Sequence, residues 1–352
     1  MPLESLTAMA AWSNLRKNPG SRWPARSEVP TRLEPICQPN LQPSFKLQPA
    51  EKVFTVGSCF ARNVEKHLAR LGYNLPGREY VPKELNNLPL DGFMNKFTPQ
   101  SMLNEFLWAF EPDEMPDPSE TFLPQADGTV IDGQLMSKIN VSPERAFERR
   151  QEITDTFRLS QDCRVVVFTL GLVEAWFDKK TGIYLNRALS QYNASLEPDR
   201  FELHVLSFEE LYTATKRLMS ILAKHGHPDL RILLTVSPVP LLATFTQKDV
   251  LSANTYSKSV LRTVAEHISY EFDQVDYFPS YESVTLSDRT LAWRDDLGHV
   301  RDDLVSVIVS NMAEAYARTK VTADVARKIL PKNYTSVDGI KQLAAAPKPD
   351  GA

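Results

Sequence analysis

The sequence predicts an α/β protein, a three-layer sandwich in which helices cover a mostly parallel, doubly wound sheet. Two observations carry this prediction. Short apolar runs, typical of strands covered on both faces, alternate with longer segments of helical periodicity. The three clearest runs each end at a small residue, Gly57, Gly171 or Ser237. Since ligands bind beyond the carboxyl ends of the strands in such sheets, these residues mark the edge where we expect a site.

Each element follows from its own pattern. The first strand, over residues 52–56, leads into a helix over 60–71 whose apolar residues have i, i+4, i+7 spacing and whose end is marked by Gly72. Further strands are predicted over residues 164–170, 230–236 and 275–278. Further helices are predicted over residues 99–110, 143–159, 208–225, 253–272 and 300–318, with Thr98 and Ser142 as the N-caps of the first two.

The chain divides into three parts, and proline is frequent in the first part and in one stretch of the second. Prolines recur throughout residues 1–50 and exclude a long helix, so we expect an arm that lies over the domain or is partly free. The α/β domain spans residues 51–320 and contains a second Pro-rich stretch, 73–142, which we interpret as a loop-rich insertion. Long loops of this kind in a compact domain are usually functional. Residues 321–352 form a C-terminal extension whose end we expect to be flexible.

Composition excludes several classes of protein. The net charge of −4 offers no bulk attraction to nucleic acid, and no apolar run approaches the ~18 residues of a membrane span. The amino terminus lacks the basic region and apolar core of a signal peptide, so a cytoplasmic location is the default expectation. The three cysteines, Cys37, Cys59 and Cys163, form no CxxC pair and suggest neither a disulfide framework nor a zinc site. Nothing in the sequence predicts a metal or a cofactor.

The turn at residues 57–59 carries the first candidate nucleophile. Gly57 lacks a Cβ, which allows a sharp bend and keeps the space above Ser58 open. The amides at this point stand at a helix N-terminus, where an oxyanion is stabilised. Ser58 is therefore either a nucleophile or an ordinary helix cap. Cys59 is the competing nucleophile, because a helix N-terminus lowers the pKa of a thiol, but it also fits as a small buried apolar residue.

The motif Asp296-Leu-Gly-His299 offers an acid and an imidazole three positions apart. A short turn can place the Asp296 carboxylate against one nitrogen of His299, which fixes the tautomer and leaves the other nitrogen facing a serine hydroxyl. In the alternative interpretation, Asp295 and Asp296 only offset the dipole of the following helix, and His299 is incidental. Together with Ser58, the motif supplies the parts of a hydrolytic triad.

Further polar residues follow the predicted strands. Asn95, in the run that begins at Gly92, either donates to an oxyanion or is an ordinary turn residue. Glu174, just beyond the most apolar strand, is either a buried carboxylate with a raised pKa or a cap of the next turn. Ser237 follows another strand and Asn254 lies near the start of a helix, and we include both in the predicted pocket.

The run Phe54-Thr-Val-Gly-Ser-Cys-Phe-Ala61 resembles the signature of the GSCFA family, which is similar to the SGNH, or GDSL-like, esterases and acyltransferases. Weaker matches follow in the expected order at residues 92–97, 168–174, 235–239, 254–258 and 296–299. The resemblance implies a flavodoxin-like, SGNH-hydrolase type of doubly wound sandwich. It also implies that Ser58 is the nucleophile, His299 the base and Asp296 the residue that orients it, with the backbone of Ser58 and the Gly92 region lining the oxyanion hole.

One departure from the SGNH pattern concerns the oxyanion hole. SGNH enzymes carry Gly-x-Asn-Asp after the third strand, and the asparagine donates to the oxyanion. Here the stretch is Gly171-Leu-Val-Glu174, and the Val173 side chain cannot donate. Either Asn95 or another group replaces that donor, or the oxyanion hole is weaker. Losing one such donor costs other enzymes ~2.7–4 kcal/mol in the barrier.

We therefore expect an SGNH-like serine hydrolase or O-acyltransferase that acts on an ester through an acyl-serine intermediate. A small-molecule or carbohydrate ester is the expected partner, the carbohydrate only by analogy with relatives. A non-catalytic binding module on the same fold is the alternative, and a hydrolase that uses Cys59 is the third. The acyl group, the acceptor and the oligomeric state are left open.

Overall fold

The computed structural model describes residues 2–25, 31–85, 92–136 and 139–317. The chain divides into two compact units. The larger unit is Gln48–Tyr277, and the smaller unit combines Met1–Leu47 with the segment that begins at Phe278. The predicted C-terminal extension, 321–352, lies outside the described residues.

Regular structure occurs in both units. The described strands are β1 (Val53–Gly57), β2 (Phe122–Pro124), β3 (Val130–Asp132), β4 (Val165–Leu170), β5 (Glu174–Asp178), β6 (Ile183–Tyr184), β7 (Phe201–Val205), β8 (Arg231–Val236) and β9 (Val275–Tyr277). The described α-helices are α1 (Ala8–Lys17), α2 (Cys59–Arg70), α3 (Pro99–Phe110), α4 (Pro143–Arg158), α5 (Gln191–Leu196), α6 (Phe208–His225), α7 (Val250–Glu271), α8 (Ser280–Thr285), α9 (Arg289–Ala292) and α10 (Asp302–Ala317).

Four strands form the central sheet of the larger unit, in the order β1-β4-β8-β9, and every pairing is parallel. β1 and β4 are buried at every position, as their continuous apolar runs predict. Helix α2 packs against β1 and β4, and α7 packs against β8 and β9. The predicted α/β class, with a mostly parallel sheet flanked by helices, is therefore confirmed.

The register of the sheet brings three strand ends to one edge. Gly57 pairs with Thr169, and Thr169 pairs with Thr235. Ser58 lies one residue beyond β1, and Ser237 lies one residue beyond β8. The two serines that the sequence analysis selected therefore lie at the same carboxyl edge of the sheet.

The other edge of β1 carries a single parallel bridge between Lys52 and Asn74. The Val53 amide donates to the Asn74 carbonyl at 2.8 Å, and the Asn74 amide donates to the Glu51 carbonyl at 3.0 Å. Because β4 occupies one edge of β1, this bridge lies on the opposite edge. The chain therefore returns, after α2, to the side of β1 that faces away from the rest of the sheet.

The predicted helices over residues 99–110, 143–159 and 208–225 are confirmed as α3, α4 and α6, to within one residue at each end. The predicted caps act as caps: Thr98 accepts from the Ser101 amide at 3.1 Å, and Ser142 accepts from the Arg145 amide at 3.3 Å. These short-range bonds satisfy amides that have no partner inside the helix.

Several elements were not predicted. The insertion at 73–142, which we expected to be irregular apart from α3, also contains the antiparallel β2–β3 pair. Strands β6, β5 and β7 form a second antiparallel sheet, and α1 lies within the Pro-rich arm. The strands of the β2–β3 pair and β6 span only two or three residues, which is too short for a periodic pattern.

In the smaller unit, residues 31–47 pack on the C-terminal helices. The Cys37 amide donates to Ser287 Oγ at 2.8 Å, and the Leu47 amide donates to the Tyr316 carbonyl at 3.1 Å. The rings of Phe45 and Tyr316 lie 4.9 Å apart. This part of the predicted arm is therefore held in place within its unit. Across all the residues described, none of the helices combines the length and the apolarity that a membrane crossing requires.

Candidate functional site

The Ser58 turn (residues 57–59) joins β1 to α2 and depends on Gly57. Gly57 has φ +154°, a conformation that side chains disfavour. A Cβ at this position would lie 1.8 Å from Thr169 Oγ1 and 2.9 Å from the Thr169 carbonyl oxygen. Glycine is therefore what allows β1 and β4 to approach this closely at their carboxyl ends.

Ser58 occupies the N-cap position of α2 but does not act as a cap. Its side chain makes no capping hydrogen bond, whereas the cap residues of α3, α4 and α6 all accept from backbone amides. Instead, Ser58 Oγ lies 3.3 Å from Ser237 Oγ, and both serines are buried. The geometry therefore does not support the ordinary-cap interpretation, because the hydroxyl is directed towards Ser237 at the end of β8, across the end of β4.

The same turn presents the positive end of α2. The first four N–H groups of an α-helix have no partner inside the helix, and together they carry a partial positive charge. Cys59 is the first residue of α2, so the amides that follow Ser58 belong to this set. The Ser58 hydroxyl is thus adjacent to backbone donors that can hold an anion.

Cys59 is only partly buried, yet burial raises the pKa of its thiol. The amides of Cys59 and Phe60 and the charge of Lys258 act in the opposite direction but do not outweigh burial. The helix N-terminus therefore lowers this pKa as expected, but burial outweighs it and the net shift is upward. A thiol with a raised pKa is protonated at neutral pH, which disfavours Cys59 as the nucleophile.

The loop at residues 92–97 lies against the Ser58 turn. The Lys96 amide donates to the Gly57 carbonyl at 2.9 Å. Asn95 is buried, and within the described part of the chain its Oδ1 makes no hydrogen bond. Its carbonyl accepts from Asn186 Nδ2 at 2.7 Å, while Asn186 Oδ1 accepts from the Phe97 amide at 3.0 Å. The loop is therefore fixed from both sides, and the unbonded Oδ1 atom of Asn95 can accept a hydrogen bond from a ligand, whereas only Nδ2 could donate to an oxyanion.

Gly92 begins this loop with φ +93°, in the left-handed region that glycine favours. Its carbonyl accepts from the Asn95 amide at 3.2 Å, which closes a turn. Asn95 is thus a turn residue by its backbone, as one interpretation predicts, and its side chain remains a candidate donor.

Gly171 connects the 92–97 loop to the end of β4. The amides of Gly171 and Leu172 both donate to the Phe97 carbonyl, at 3.1 and 2.8 Å. A Cβ on Gly171 would lie 2.8 Å from that oxygen, so glycine permits the close approach. The Gly171 amide is therefore already used. Val173 is buried, and its side chain carries no donor.

A buried ionic cluster supports the 92–97 loop from behind. Lys96 pairs with Glu105, and Arg150 pairs with both Glu105 and Asp132, the latter at 3.3 Å. All four side chains are fully buried. Lys96 Nζ also donates to the Gln134 carbonyl at 2.5 Å. Because each charge faces an opposite charge, this cluster holds the loop rigidly to α3 and α4.

Glu174 and Asn254 have a different role from the one expected. Glu174 accepts from Thr244 Oγ1 at 2.5 Å and from the Phe245 amide at 3.1 Å. Asn254 Oδ1 accepts from the Leu241 amide at 2.9 Å. Both residues therefore anchor the loop at 238–249, which follows Ser237. Glu174 is neither a cap of the next turn nor an unpartnered buried carboxylate.

Asp296 and His299 form a contact pair within the smaller unit. Asp296 Oδ2 lies 2.7 Å from His299 Nδ1, and Asp296 Oδ1 accepts from the amides of Gly298 and His299, at 3.0 and 2.9 Å. These hydrogen bonds, led by that from the His299 amide, lower the pKa of Asp296 to about 2. The predicted contact is confirmed, and the other imidazole nitrogen, Nε2, is left to exchange a proton.

The turn between these two residues is locally strained. Leu297 has φ +52°, which is uncommon for a residue other than glycine. The acidic first turn of α10 is formed by Asp302 and Asp303. The alternative in which Asp296 serves that helix is therefore not supported.

Lys258 is the residue at this edge that the sequence analysis missed. It lies on α7, is 1% exposed, and its Nζ donates to the Gly171 carbonyl at 2.7 Å. A signal was present, because Lys258 lies four residues after Asn254 and three before the buried Leu261. A lysine on the inward stripe of an amphipathic helix is a sequence feature that can be recognised.

The comparisons with known proteins agree with this geometry on one point. The GSCFA family model matches residues 52–312, which is most of the chain, and the chain therefore belongs to the GSCFA family. Searches of curated proteins and of solved structures found no significant match.

Proposed function

We propose that this GSCFA protein is a serine hydrolase or O-acyltransferase of the SGNH type, acting through an acyl-serine intermediate. The observation that carries the proposal is that the Ser58 hydroxyl makes no capping hydrogen bond. Its hydroxyl is not used as a cap, although it stands at the N-terminus of α2 beside backbone donors. A serine that only ended a strand and started a helix would gain stability by capping.

The proposed reaction has two stages. Ser58 Oγ forms a bond to the ester carbonyl carbon, the carbonyl π pair moves to oxygen, and the serine proton passes to His299. The carbon–oxygen bond to the leaving group then breaks, and that alkoxide takes the proton from His299. Water or an acceptor hydroxyl resolves the acyl-serine by the same steps in reverse. The assignment of His299 rests on the resemblance and on its contact with Asp296.

In this proposal, the 92–97 loop supplies the oxyanion donor that an asparagine provides in SGNH enzymes. Asn95 is buried beside the Ser58 turn, and the Lys96 amide bonded to the Gly57 carbonyl sets the position of the loop. The donor of the Asn95 side chain is Nδ2, which lies 3.4 Å from where a Cβ on Gly92 would stand. Such a preorganised donor loses little free energy to reorganisation during the reaction. We assign Asn95 the role of oxyanion donor that Val173 cannot fill.

The finer description of the fold belongs to the same proposal. A doubly wound sheet reverses its strand order next to the first strand. The bridge from Lys52 to Asn74 lies on the outer edge of β1, where that reversed strand would pair. We propose that residues around Asn74 are the remnant of such a strand, and that the fold is a reduced SGNH sandwich.

The substrate class follows from the resemblance and stays general. We propose an ester of a small molecule or a carbohydrate, with the insertion at 73–142 shaping the acceptor pocket. The cysteines Cys37, Cys59 and Cys163 are all unpaired. Unpaired thiols suit a reducing compartment, and we keep the cytoplasm as the proposed location.

A binding module without catalysis is the second candidate. The observation in its favour is Val173, which removes the side-chain donor of SGNH enzymes. In this case Ser58 and Ser237 would contribute hydroxyl groups to a ligand site, and no covalent intermediate would form.

One experiment separates these candidates. The full chain is treated with a fluorophosphonate probe, and the modified residue is identified by peptide mass spectrometry. We expect labelling of Ser58 in the wild type and in Cys59→Ala, and its loss in Ser58→Ala and His299→Ala. The matched control is Ser220→Ala, an exposed serine of α6 whose loss should change nothing. Labelling that survives Ser58→Ala contradicts the serine mechanism, and an unlabelled wild type favours the binding module.

A further inference from the structure

We propose that Lys258 is a catalytic residue of this site, whose terminal amino group binds the oxyanion and so supplies a charge that the SGNH asparagine does not. The inference rests on the proposed serine acyl-transfer function and adds a residue to it. Lys258 lies on α7 and reaches the carboxyl edge of the sheet through its contact with the Gly171 carbonyl, 2.7 Å from Nζ.

The surroundings of Lys258 differ from those of the other fully buried lysine. Lys96 is neutralised by Glu105 inside the ionic cluster. Lys258 is 1% exposed, and among the described residues no carboxylate pairs with it. Burying an amino group without a counter-charge is costly, because the charged form loses its hydration. The Gly171 carbonyl is a neutral partner, so the charged form of this buried amino group is left for an anion to balance.

The position of Lys258 matches the place where a donor is missing. Its Nζ contacts Gly171, and Val173 follows two residues later on the same chain segment. Gly171 itself lies two residues beyond Thr169, which pairs with Gly57 of the Ser58 turn. The α7 amino group and the α2 amides therefore approach one strand end from two different elements.

A second observation links Lys258 to the Ser58 turn. The charges of Lys258 and Cys59 act on each other: Lys258 lowers the pKa of the Cys59 thiol, and a Cys59 thiolate would raise the pKa of Lys258. Cys59 directly follows Ser58. This coupling accords with the register of the sheet, in which Gly171, the contact of Lys258, lies two residues beyond Thr169, the partner of Gly57.

The ionisation of Lys258 suits a transient anion. Burial lowers the pKa of Lys258 to about 7, with the Cys59 thiolate acting in the other direction. Cys59 of α2 is the titratable group whose charge acts on it, and the carbonyl of Gly171, the residue after β4, faces it. An oxyanion nearby favours the ammonium form, so the attraction becomes strongest when the tetrahedral intermediate forms. Interactions that strengthen on the way to the transition state are those that accelerate a reaction.

The test uses the full chain and two variants, Lys258→Met, which removes charge and donor, and Lys258→Gln, which keeps a neutral donor. The first readout is the rate at which iodoacetamide alkylates Cys59 as a function of pH. Burial raises the pKa of Cys37 to about 11 and that of Cys163 to about 12, so these two thiols do not compete. The second readout is the rate of fluorophosphonate labelling of Ser58.

We expect Lys258→Met to slow the alkylation of Cys59 near pH 6, where Lys258 is charged, by about a factor of ten for each unit by which the pKa of the thiol rises, and to change it little near pH 8, where Lys258 is already neutral. Labelling of Ser58 should slow by about 10²-fold, the effect of losing one oxyanion donor, and by less in Lys258→Gln. The control is Lys216→Met, because Lys216 lies on the exposed face of α6 paired with Glu271, and both rates should be unchanged. The thermal midpoint of Lys258→Met should not fall, since the lost hydrogen bond to the Gly171 carbonyl is offset by removing an amino group that is buried without a counter-charge.

The outcomes that overturn the inference are distinct from those that overturn the proposed function. A wild type that labels at Ser58, with Lys258→Met labelling equally fast, contradicts the role of Lys258 alone. Another outcome would make Lys258 a base for Ser58 rather than an oxyanion ligand. In that case Lys258→Met and Lys258→Gln would label Ser58 equally slowly, and both would lose a rise of the labelling rate that has its midpoint near pH 7 in the wild type. An unlabelled wild type overturns the proposed function together with this catalytic role, whereas the alkylation of Cys59 still reports whether the charge of Lys258 acts at the turn.

Discussion

Replacing Ser58 with alanine separates a catalytic serine from a structural one through protein stability. A capping serine stabilises its helix, and its replacement by alanine typically costs about 1 kcal/mol. Ser207 is such a residue in this chain. It caps α6 in a capping box, accepting from the Glu210 amide at 3.4 Å and donating to the Glu210 carboxylate at 2.7 Å.

The expected effect at Ser58 is much smaller. Its hydroxyl has one partner, Ser237 Oγ at 3.3 Å, which is long for a hydrogen bond between hydroxyl groups. A hydrogen bond of ordinary length contributes about 0.5–1.5 kcal/mol, and this one belongs at or below the lower end of that range. Ser58→Ala also relieves the cost of burying a poorly bonded hydroxyl. We therefore expect its free energy of unfolding to stay within about 0.5 kcal/mol of the wild type, or to increase.

The assay is urea unfolding of the wild type, Ser58→Ala and Ser207→Ala, followed by circular dichroism and compared at the midpoints. Ser207→Ala should lower the midpoint, while Ser58→Ala should leave it unchanged and abolish fluorophosphonate labelling. A midpoint for Ser58→Ala that falls as far as that of Ser207→Ala would refute the reasoning, because Ser58 would then be a helix cap after all.

Three further predictions follow from single contacts. Gly57→Ala should destabilise the chain by at least about 2 kcal/mol in urea unfolding, because the new Cβ would clash with Thr169. Adding Thr169→Ala should restore the stability only in part, since the clash with the backbone oxygen of residue 169 remains. Glu174→Ala should release the 238–249 loop and speed tryptic cleavage after Lys248 several-fold, whereas Glu174→Gln, which keeps one acceptor, should speed it less. Asp296 has its pKa lowered from 3.8 to about 2, so its stabilising effect is complete above pH 4 and is lost as the pH falls towards 2. The urea midpoints of Asp296→Asn and the wild type should therefore differ at pH 7 and converge in acid; a difference that persists unchanged at the lowest pH contradicts this assignment.

Local requirements explain which parts of the fold could be predicted. The strands β1, β4 and β8 are covered on both faces, so nearly every position must be apolar, and a single sequence displays that need directly. Thr98 and Ser142 could be predicted as caps because the amides they serve lie three residues away. Strand β5, by contrast, depends on pairing with β6 and β7, and only two of its five positions are buried, so it gave no continuous apolar run.

The candidate site shows the same division. The bend at Gly57 and the contact between Asp296 and His299 are local, and the sequence predicted both. Glu174 bonds to residues that follow it by 70 positions or more, and Lys258 bonds to a carbonyl 87 positions before it. Contacts at such separations are decided by how helices and strands pack, which spacing in one sequence does not encode.

Lys96 couples the Ser58 turn to the interior of the insertion, because its backbone contacts the turn and its side chain lies in the buried ionic cluster. We therefore expect the two regions to unfold together. Its backbone holds the Gly57 carbonyl, while its side chain is bonded among Glu105 and the other buried charges. Loops next to reactive groups usually open more easily than the core of a protein. Here the loop can leave the turn only if the ionic cluster opens too, so the Lys96 amide should exchange its hydrogen as slowly as the amides in the centre of α3. The Ser58 turn and the 92–97 loop are therefore assembled without a ligand, and the proposed site would select its ligands by fit to a fixed shape.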